Sequence, residues 1–550
     1  MTNCEKETRS EEGQVPLPLK NSGKKHRTTG LVVVALNLAV FLAALDGTIV
    51  ATALPRIAED LGSGSGYAWI GSAYLLAVTA ALPVWGKLSD IWGRKVSILL
   101  ANALFFFGSL ICALSINIAM LIAARAIQGI GGSGLVILVN IIISDLFPIA
   151  ERAKYLGITS ASWALAGAIG PLIGGAFAQN VSWRWCFYIN LPLDAIAFVL
   201  LLAFLKIDSQ RMDFITSLKS IDYFGMLAII GGTVMLLLGL QFGGINEPWD
   251  SGTVICLIVF GAVLIVGFLF MEWRVTKIPG KRPIIPLNIF QQPSTLAILM
   301  VCFLHGIILI APFYYLPLFF QSARAATPIL SGVYVLPLVL SSSFASIFAG
   351  GFTKKTGRVV EPIWVGVVLS TLGLGLLIDL DTRSSWAKLI IYQLVLGIGI
   401  GPNYFSPVLA LQRVVRPQDI AISTSTLGFV RQLGSALSVV IGGVIFQSQM
   451  QKKVSTLREA LGPRADQFSG ASAAASVELI KQLPEAQKQL VEQTYAASIR
   501  PMYYVYMGLS AAALLTSFFI DTNKLEQKAE KETEMCHDKA RDEEEGNQQG

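Results

Sequence analysis

Long apolar runs recur along the whole chain and are separated by short polar segments. A helix needs about 20 apolar residues to cross the roughly 30 Å of bilayer hydrocarbon, and the runs have about this length. They predict fourteen membrane-spanning helices, at about residues 30–53, 68–87, 96–116, 118–143, 154–178, 184–206, 221–242, 253–272, 295–320, 329–352, 360–379, 387–411, 419–447 and 500–519. The pattern therefore predicts an all-α membrane protein.

The predicted spans form two sets of six with an extra pair between them, an arrangement typical of transporters with two rocking halves. The expected units are a first six-helix lobe at 30–206, an inserted helix pair with its loops at 207–294, a second six-helix lobe at 295–519 that includes an outer segment at 448–499, and charged tails at 1–29 and 520–550. Lys and Arg concentrate in the loops on the side of both tails, which predicts that this side is cytoplasmic. Within the outer segment, residues Val477 to Tyr495 predict a short amphipathic surface helix.

Composition narrows the class of protein further. Of the 550 residues, 53% are hydrophobic and 14% charged, whereas soluble domains carry about 25% charged residues. The net charge of +6 is scattered over loops, so no nucleic-acid partner is expected. The six cysteines show no paired spacing and the three histidines are far apart, so no metal site is predicted. Without a phosphate-binding loop or a catalytic cluster, we expect no cofactor and no enzyme activity.

A compact charged segment, GKLSDIWGRK at Gly86–Lys95, joins the second and third predicted spans. Gly86 and Gly93 permit a tight turn and a close approach of helix ends. Asp90 is placed to accept hydrogen bonds from Arg94 and to face the positive start of a later helix. These four residues are therefore candidate gating residues, and the alternative is that the charges only fix topology.

The second lobe carries a faint copy of this segment. Gly350 and the following GFTKKTGR, Gly351–Arg358, repeat the spacing of a glycine, seven residues and a Gly-Arg pair. Lys354 occupies the place of Asp90. We therefore expect the acidic, switchable contact in the first lobe only.

Several ordered motifs resemble those of the major facilitator superfamily, in particular its fungal fourteen-span drug:proton antiporters. The matching residues are GKLSDIWGRK at Gly86–Lys95; LDGTIVATALP at Leu45–Pro55; Arg125, Gln128, Gly129 and Gly131; Gly167, Gly170, Pro171, Gly174 and Gly175; and WRWCFYINLP at Trp183–Pro192. The resemblance covers about residues 30–520. It implies two six-helix lobes plus two inserted helices, and a multidrug or toxin efflux pump.

Four charged residues lie well inside predicted spans, away from the span ends, where a charge costs about 2.5–3.5 kcal/mol even on lenient scales. They are Asp46, Arg125, Asp194 and Arg431. The resemblance implies proton coupling for Asp46 and Arg125, against purely structural roles. Arg431 is the corresponding buried cation of the second lobe. Asp194 stands where the family pattern leads us to expect glycine, and it is either a second proton site or a residue that reaches the polar headgroups.

The remaining candidates come from small, aromatic and polar residues within or beside spans. Gly170, Pro171 and Gly174 combine a GxxxG spacing with a proline, so we expect a closely packed, kinked helix that takes part in gating. Amphipathic rings and amides in spans are candidates for the substrate site, namely Trp163, Tyr314, Tyr315, Asn403 and Tyr404. The sequon at Asn180 predicts glycosylation on the outer side.

The resemblance implies a secondary transporter that exports small amphipathic organic compounds by proton antiport and alternating access. Its expected partners are the small-molecule substrate, protons and the lipid bilayer, and we expect a monomer. The expected location is the plasma membrane, with a vacuolar or vesicle membrane as the alternative. The alternative function is a proton-coupled importer of siderophores or basic amino acids on the same fold.

Overall fold

The protein is described by a computed structural model. It describes residues 23–61, 67–207, 223–243, 247–275, 284–285, 287–416, 419–470, 473 and 476–521. Of the predicted tails, residues 1–22 and 522–550 lie outside this described part, whereas residues 23–29 begin the first helix. Within it, all regular structure is helical, and one isolated bridge joins Gly243 to Glu247.

The first lobe contains seven helices, two of which together form its sixth span. They are α1 Gly23–Asp60, α2 Tyr67–Trp92, α3 Arg94–Ala113, α4 Ile118–Leu146, α5 Ile149–Asn180, α6 Trp185–Tyr188 and α7 Asn190–Phe204. A pair then follows, α8 Tyr223–Phe242 and α9 Gly252–Val275. Helix α8 packs on α9 and α2, and large apolar side chains of α9 such as Phe260 and Val263 are exposed, as lipid contact requires.

Prolines divide some helices of the second lobe into shorter segments. It comprises α10 Pro293–Ala323, α11 Pro328–Tyr334, α12 Leu336–Thr356, α13 Val360–Leu377, α14 Trp386–Ile400, α15 Ser406–Val414, α16 Ile420–Lys452, α17 Val454–Leu461 and α18 Glu485–Ser517. Short 3-10 turns occur at Leu287–Gln291, Gly401–Tyr404, Gly462–Phe468 and Val477–Gln482.

Thirteen helical segments in the described residues are long and apolar enough to span a membrane. The fourteenth predicted span, 500–519, lies in the second half of α18 and is not among them; this half carries Tyr503, Tyr504 and Tyr506. The prediction of a separate surface helix at Val477–Tyr495 is wrong. Residues 477–482 form a 3-10 turn, and from Glu485 the chain runs as one helix into the last predicted span. Tyr495 holds that extension in place because its ring packs on Phe446 and its hydroxyl donates to the Ala473 carbonyl.

The predicted span at 387–411 is also broken. Helix α14 ends at Ile400, a 3-10 turn covers Gly401–Tyr404, and α15 starts at Ser406. Pro402 and Pro407 lack the N–H groups that a continuous helix requires. Discontinuous helices of this kind present free backbone groups and are typical of transporter binding sites.

The two lobes meet along α5–α12 and α2–α16. We call the end of the bundle at the α2–α3 junction the hinge end. At this junction Gly93 adopts φ 87°, a left-handed conformation that favours glycine. Gly357 with φ 73° makes the equivalent break between α12 and α13. The faint sequence repeat therefore corresponds to the same chain reversal in both lobes.

Candidate functional site

A buried ion pair lies in the core of the first lobe. The Arg125 guanidinium on α4 donates from Nη1 to Oδ2 of Asp46 on α1. Asp46 is 0% exposed and Arg125 2% exposed. The structure thus pairs the two residues that the resemblance assigned to proton coupling, 79 positions apart in the chain.

Amide groups complete the surroundings of the Asp46 carboxylate. Gln128 Nε2 donates to Oδ1 at 2.8 Å, and Asn190 Nδ2 at the start of α7 donates to the same oxygen at 3.2 Å. Gln128 also donates to Ser109 Oγ at 2.8 Å and accepts from Arg125 Nη1 at 2.7 Å. One carboxylate therefore joins α1, α4 and α7, and a change in its charge would act on three helices.

The remaining surface of the Arg125 guanidinium is also occupied. Its Nε donates to the Ile70 carbonyl at 3.2 Å, and its carbon lies 4.4 Å from the centre of the Tyr74 ring. The Phe187 ring lies 5.8 Å away on another side. Since Arg cannot lose its proton in a protein, the removable charge of this site belongs to Asp46.

Asp194 occupies a separate buried position on α7. It is 0% exposed, and neither carboxylate oxygen has a hydrogen-bond partner among the described residues. The side chain of Asn102 on α3 is its polar neighbour. Asp194 follows Asn190 by one helical turn, so the two side chains lie on the same face of α7. The structure brings Asp194 near the Asp46 network without joining it.

A second cluster surrounds Arg431 on α16. Its guanidinium lies 5.3 Å from the centre of the Tyr404 ring, and its Nε donates to Cys302 Sγ at 3.2 Å. Tyr404 contacts Trp163 of the first lobe at a ring distance of 6.1 Å and His305 at 6.4 Å. Two of the five predicted substrate residues therefore meet across the lobes, beside the 3-10 break.

The other predicted substrate residues lie elsewhere. Tyr315 is 2% exposed and donates to the Val439 carbonyl at 2.7 Å, which fixes α10 on α16. Tyr314 lies on the same helix with 57% of its surface exposed. Asn403 is fully buried, with its amide against Gly366 of α13. Among the described residues, none of the three forms a ring contact or a hydrogen bond with the Arg431 cluster, and their substrate role stays a prediction.

The predicted contact of the hinge segment is present. Arg94 Nη1 donates to Asp90 Oδ1 at 2.5 Å, and Arg94 Nε donates to Asp145 Oδ2 at 2.7 Å. Gly86 packs directly on Ser425 in the second turn of α16. Gly428 of α16 faces Leu82, so α2 and α16 run in opposite directions, and Asp90 follows Gly86 by one turn of α2.

Polar contacts between the lobes at the hinge end were not predicted. Gln412 of α15 donates to Ser144 Oγ at 2.7 Å and accepts from Arg152 Nη1 at 3.2 Å. Ser160 and Ser346 share a hydrogen bond of 2.6 Å between α5 and α12. No motif singles out these residues, because each is an ordinary polar residue of a helix. Together they join the two lobes by hydrogen bonds.

The predicted gating glycines on α5 pack within the first lobe. Gly170 lies so close to Thr48 that a Cβ would come within 2.1 Å of its Oγ1. Thr48 in turn donates to the Ala166 carbonyl at 3.2 Å. Gly174 is buried in the same helix, and Pro171 lies between the two glycines. This tight α1–α5 contact starts two residues after Asp46, so a movement of α1 would be felt by α5.

The predicted sequon residue, Asn180, is the last residue of α5 and is exposed. It lies at the end of the bundle opposite the hinge. Among the described residues, no group of three His, Cys, Asp or Glu side chains could hold a metal ion.

Comparison with known proteins identifies the family to which this architecture belongs. The sequence profile described as Major Facilitator Superfamily matches residues 36–439. The efflux pump dotC of Dothistroma septosporum is 49% identical over 503 residues, covering 92% of this chain and 86% of that protein. The efflux pump FUS6 of Gibberella moniliformis is 34% identical over 510 residues, covering 92% and 89%.

A solved structure shows the same fold at low sequence identity. The proton:xylose symporter XylE bound to 6-bromo-6-deoxy-D-glucose superposes with a TM-score of 0.55 at 12% identity, covering 91% of this chain and 99% of that one. These proteins are transporters rather than enzymes, and the multi-pass membrane location follows from the fold. The chain belongs to the Major Facilitator Superfamily of membrane transporters.

Proposed function

We propose that this protein exports small amphipathic organic compounds from the cytosol in exchange for protons. The buried Asp46–Arg125 pair carries the proposal, because it offers one removable charge at the junction of three helices. The naming of dotC and FUS6 as efflux pumps supports export. The alternative function, proton-coupled import of siderophores or basic amino acids, predicts the opposite result in the transport test below.

Proton binding at Asp46 is the proposed coupling step. The ionised carboxylate accepts hydrogen bonds from Arg125, Gln128 and Asn190. Protonation removes the ion pair and turns one acceptor into a donor, which loosens α1 from α4 and α7. A potential of about 150 mV supplies about 3.5 kcal/mol per proton moved inward, enough for a substrate gradient of roughly several hundredfold.

The lobes would alternate between closure at the two ends of the bundle. We infer that the hinge end is cytoplasmic and that the present conformation is closed there, since Gly86–Ser425 and Ser144–Gln412 join the lobes near that end and Ser160–Ser346 joins them further along α5 and α12. Opening to the cytosol requires these contacts to separate. The plasma membrane is the proposed location, and a monomer contains every contact used here.

A transport assay in proteoliposomes tests this function. The purified protein is reconstituted, an inward or outward pH gradient is imposed, and a panel of hydrophobic toxins is offered with and without an uncoupler. We expect substrate movement opposite to that of protons, abolished by the uncoupler. Movement in the same direction as protons would establish the importer instead.

Asp194 gives a prediction about the second buried carboxyl. A buried charge beside the neutral Asn102 side chain is costly, so we propose that Asp194 is protonated here and exchanges its proton during the cycle. Asp194→Asn should leave the melting temperature unchanged, because one neutral group replaces another of the same size. Proton-driven transport should fall severalfold. Unchanged transport by this variant would make Asp194 a structural residue.

Asp90 gives a prediction about the hinge. Asp90→Asn keeps the side-chain size but removes a charge that Arg94 contacts at 2.5 Å, while Asp145 keeps Arg94 in place. Turnover should fall at normal surface abundance because the α2–α3 turn at the hinge end loses a contact. The matched control is Asp379→Asn, which removes the exposed partner of Lys388 at the opposite end. Equal turnover in both variants would leave Asp90 as a topology determinant.

A further inference from the structure

Arg125 and Arg431 lie inside spans of the two lobes, but only Arg125 has a carboxylate partner in the described part of the chain. Arg125 pairs with Asp46. Arg431 is half-buried and forms no salt bridge there, and its Nη2 atom is buried without a hydrogen-bond partner. From α10 to α16, the single acidic residue within a helix is Glu361, in the first turn of α13 at the hinge end. The Arg431 guanidinium therefore has no carboxylate partner on helices α10 to α16.

A second unpaired polar atom belongs to His305, whose ring contacts the same Tyr404 ring that Arg431 faces. His305 Nε2 lies 3.2 Å from the Ile400 carbonyl, the last residue before the helix break. Since a carbonyl oxygen only accepts, Nε2 carries the proton and Nδ1 is left as an acceptor. Nδ1 is buried and has no hydrogen-bond partner among the described residues. A ligand hydroxyl would satisfy it.

The rings at this site favour a flat ligand. Tyr404 contacts Arg431 and His305 from the second lobe and Trp163 from the first. The Tyr404 and Trp163 rings are tilted by 49° and are both half-buried. Aromatic faces of this kind bind planar apolar bodies over a large area with little geometric restriction. A ligand between them would also touch both moving lobes.

We propose that the exported compound is a planar, hydroxylated aromatic anion. Its carboxylate or phenolate binds Arg431, its hydroxyl donates to His305 Nδ1, and its ring system packs on Tyr404 and Trp163. This inference rests on the proposed export function and specifies its substrate class. It replaces the predicted proton-coupling role of Arg431 with direct binding of substrate charge.

An anionic substrate changes the electrical balance of the cycle. One anion leaves the cytosol while one proton enters, so two charges move in the favourable direction of a membrane potential that is negative inside. A neutral substrate would move one. Transport of the anion should therefore respond to a potassium-diffusion potential about twice as steeply, on a logarithmic scale of the substrate gradient, as transport of a neutral compound.

The test compares two probes of the same shape in proteoliposomes with a proton gradient. The anion is 6-hydroxy-2-naphthoate, whose hydroxyl lies too far from the carboxylate for an internal hydrogen bond, and the neutral probe is its carboxamide. We expect kcat/KM at least about tenfold higher for the anion, which corresponds to about 1.4 kcal/mol. Arg431→Gln should remove this preference and Arg431→Lys should keep part of it. His305→Ala should remove the preference for 6-hydroxy-2-naphthoate over 2-naphthoate.

The control variant is Arg458→Gln, at a 60% exposed side chain of α17 outside the cluster, which should keep the anion preference. Equal transport of both probes, or a preference that survives Arg431→Gln, would overturn the proposal. So would proton-driven export of tetraphenylphosphonium with no movement of either naphthalene probe, an outcome that leaves the export function standing. No proton-driven transport of any compound would instead refute the proposed function itself.

Discussion

Replacing Asp46 with Asn is expected to abolish proton-driven export while the protein still reaches the membrane. Asn cannot be ionised, so the charge of the site no longer changes during the cycle. Gln128 and Asn190 can still donate to the remaining side-chain oxygen. Transport driven by a substrate gradient alone should persist, since the binding cluster around Arg431 is separate. The measurement is uptake into inside-out vesicles with and without a pH gradient.

The variant also leaves Arg125 as a buried cation, and breaking one partner of a buried pair costs about 3–5 kcal/mol. A loss of function caused by misfolding must therefore be distinguished from a loss of coupling. The double variant Asp46→Asn with Arg125→Gln removes both charges, which is often neutral for stability. We expect it to recover the melting temperature of the wild type but not its coupling. Coupled transport by the double variant would exclude the ion pair from the mechanism.

The sequence singled out Asp46, Arg125 and Asp194, which the structure buries, because charges inside apolar runs are rare. Asp46, Arg125, Asp194 and Arg431 are all conspicuous within helical segments otherwise almost free of charge. Their pairing was out of reach, since nothing in the local pattern indicates that α1 and α4 bring Asp46 to Arg125 while Arg431 meets a thiol and a ring. Partner choice depends on helix rotation, which packing between helices decides.

Interruptions of helices were harder to predict from the sequence than the buried charges. The apolar pattern of 387–411 continues through Pro402 and Pro407, so periodicity favoured one span where the structure has two helices and a 3-10 turn. The prediction for the polar stretch before the last span was wrong for the opposite reason. Its amphipathic pattern indicated a separate surface helix, yet the helix that starts at Glu485 continues without a break because tertiary contacts of Tyr495 stabilise it.

The second large effect is expected from Gly86→Ala in α2. A Cβ at this position would lie 2.0 Å from Ser425 Oγ and 2.7 Å from Ser425 Cβ. The hydroxyl could rotate away, but the Cβ is fixed to the backbone of α16, so the two helices must separate. Overpacking of this kind typically costs about 1–3 kcal/mol. The hinge end should therefore open.

Because the α2–α16 contact joins the two lobes, this cost falls on the conformation closed at the hinge end. An equilibrium between two conformations would shift by about 5- to 150-fold toward the open one. Export should fall by a similar factor, since each cycle requires closure. Double electron–electron resonance can measure the distance between spin labels at the exposed positions Lys154 and Arg358, one in each lobe. The mean distance should be longer in Gly86→Ala than in the wild type.

Gly71→Ala is the matched control on the same helix. A Cβ there meets no atom within 4 Å, so the same added methyl group and the same change in helix propensity act without a clash between the lobes. If closure at the hinge end is a step of transport, only Gly86→Ala should lengthen the distance and slow export. A Gly86→Ala protein with wild-type distances and wild-type export would show that the close contact with Ser425 plays no part in the cycle.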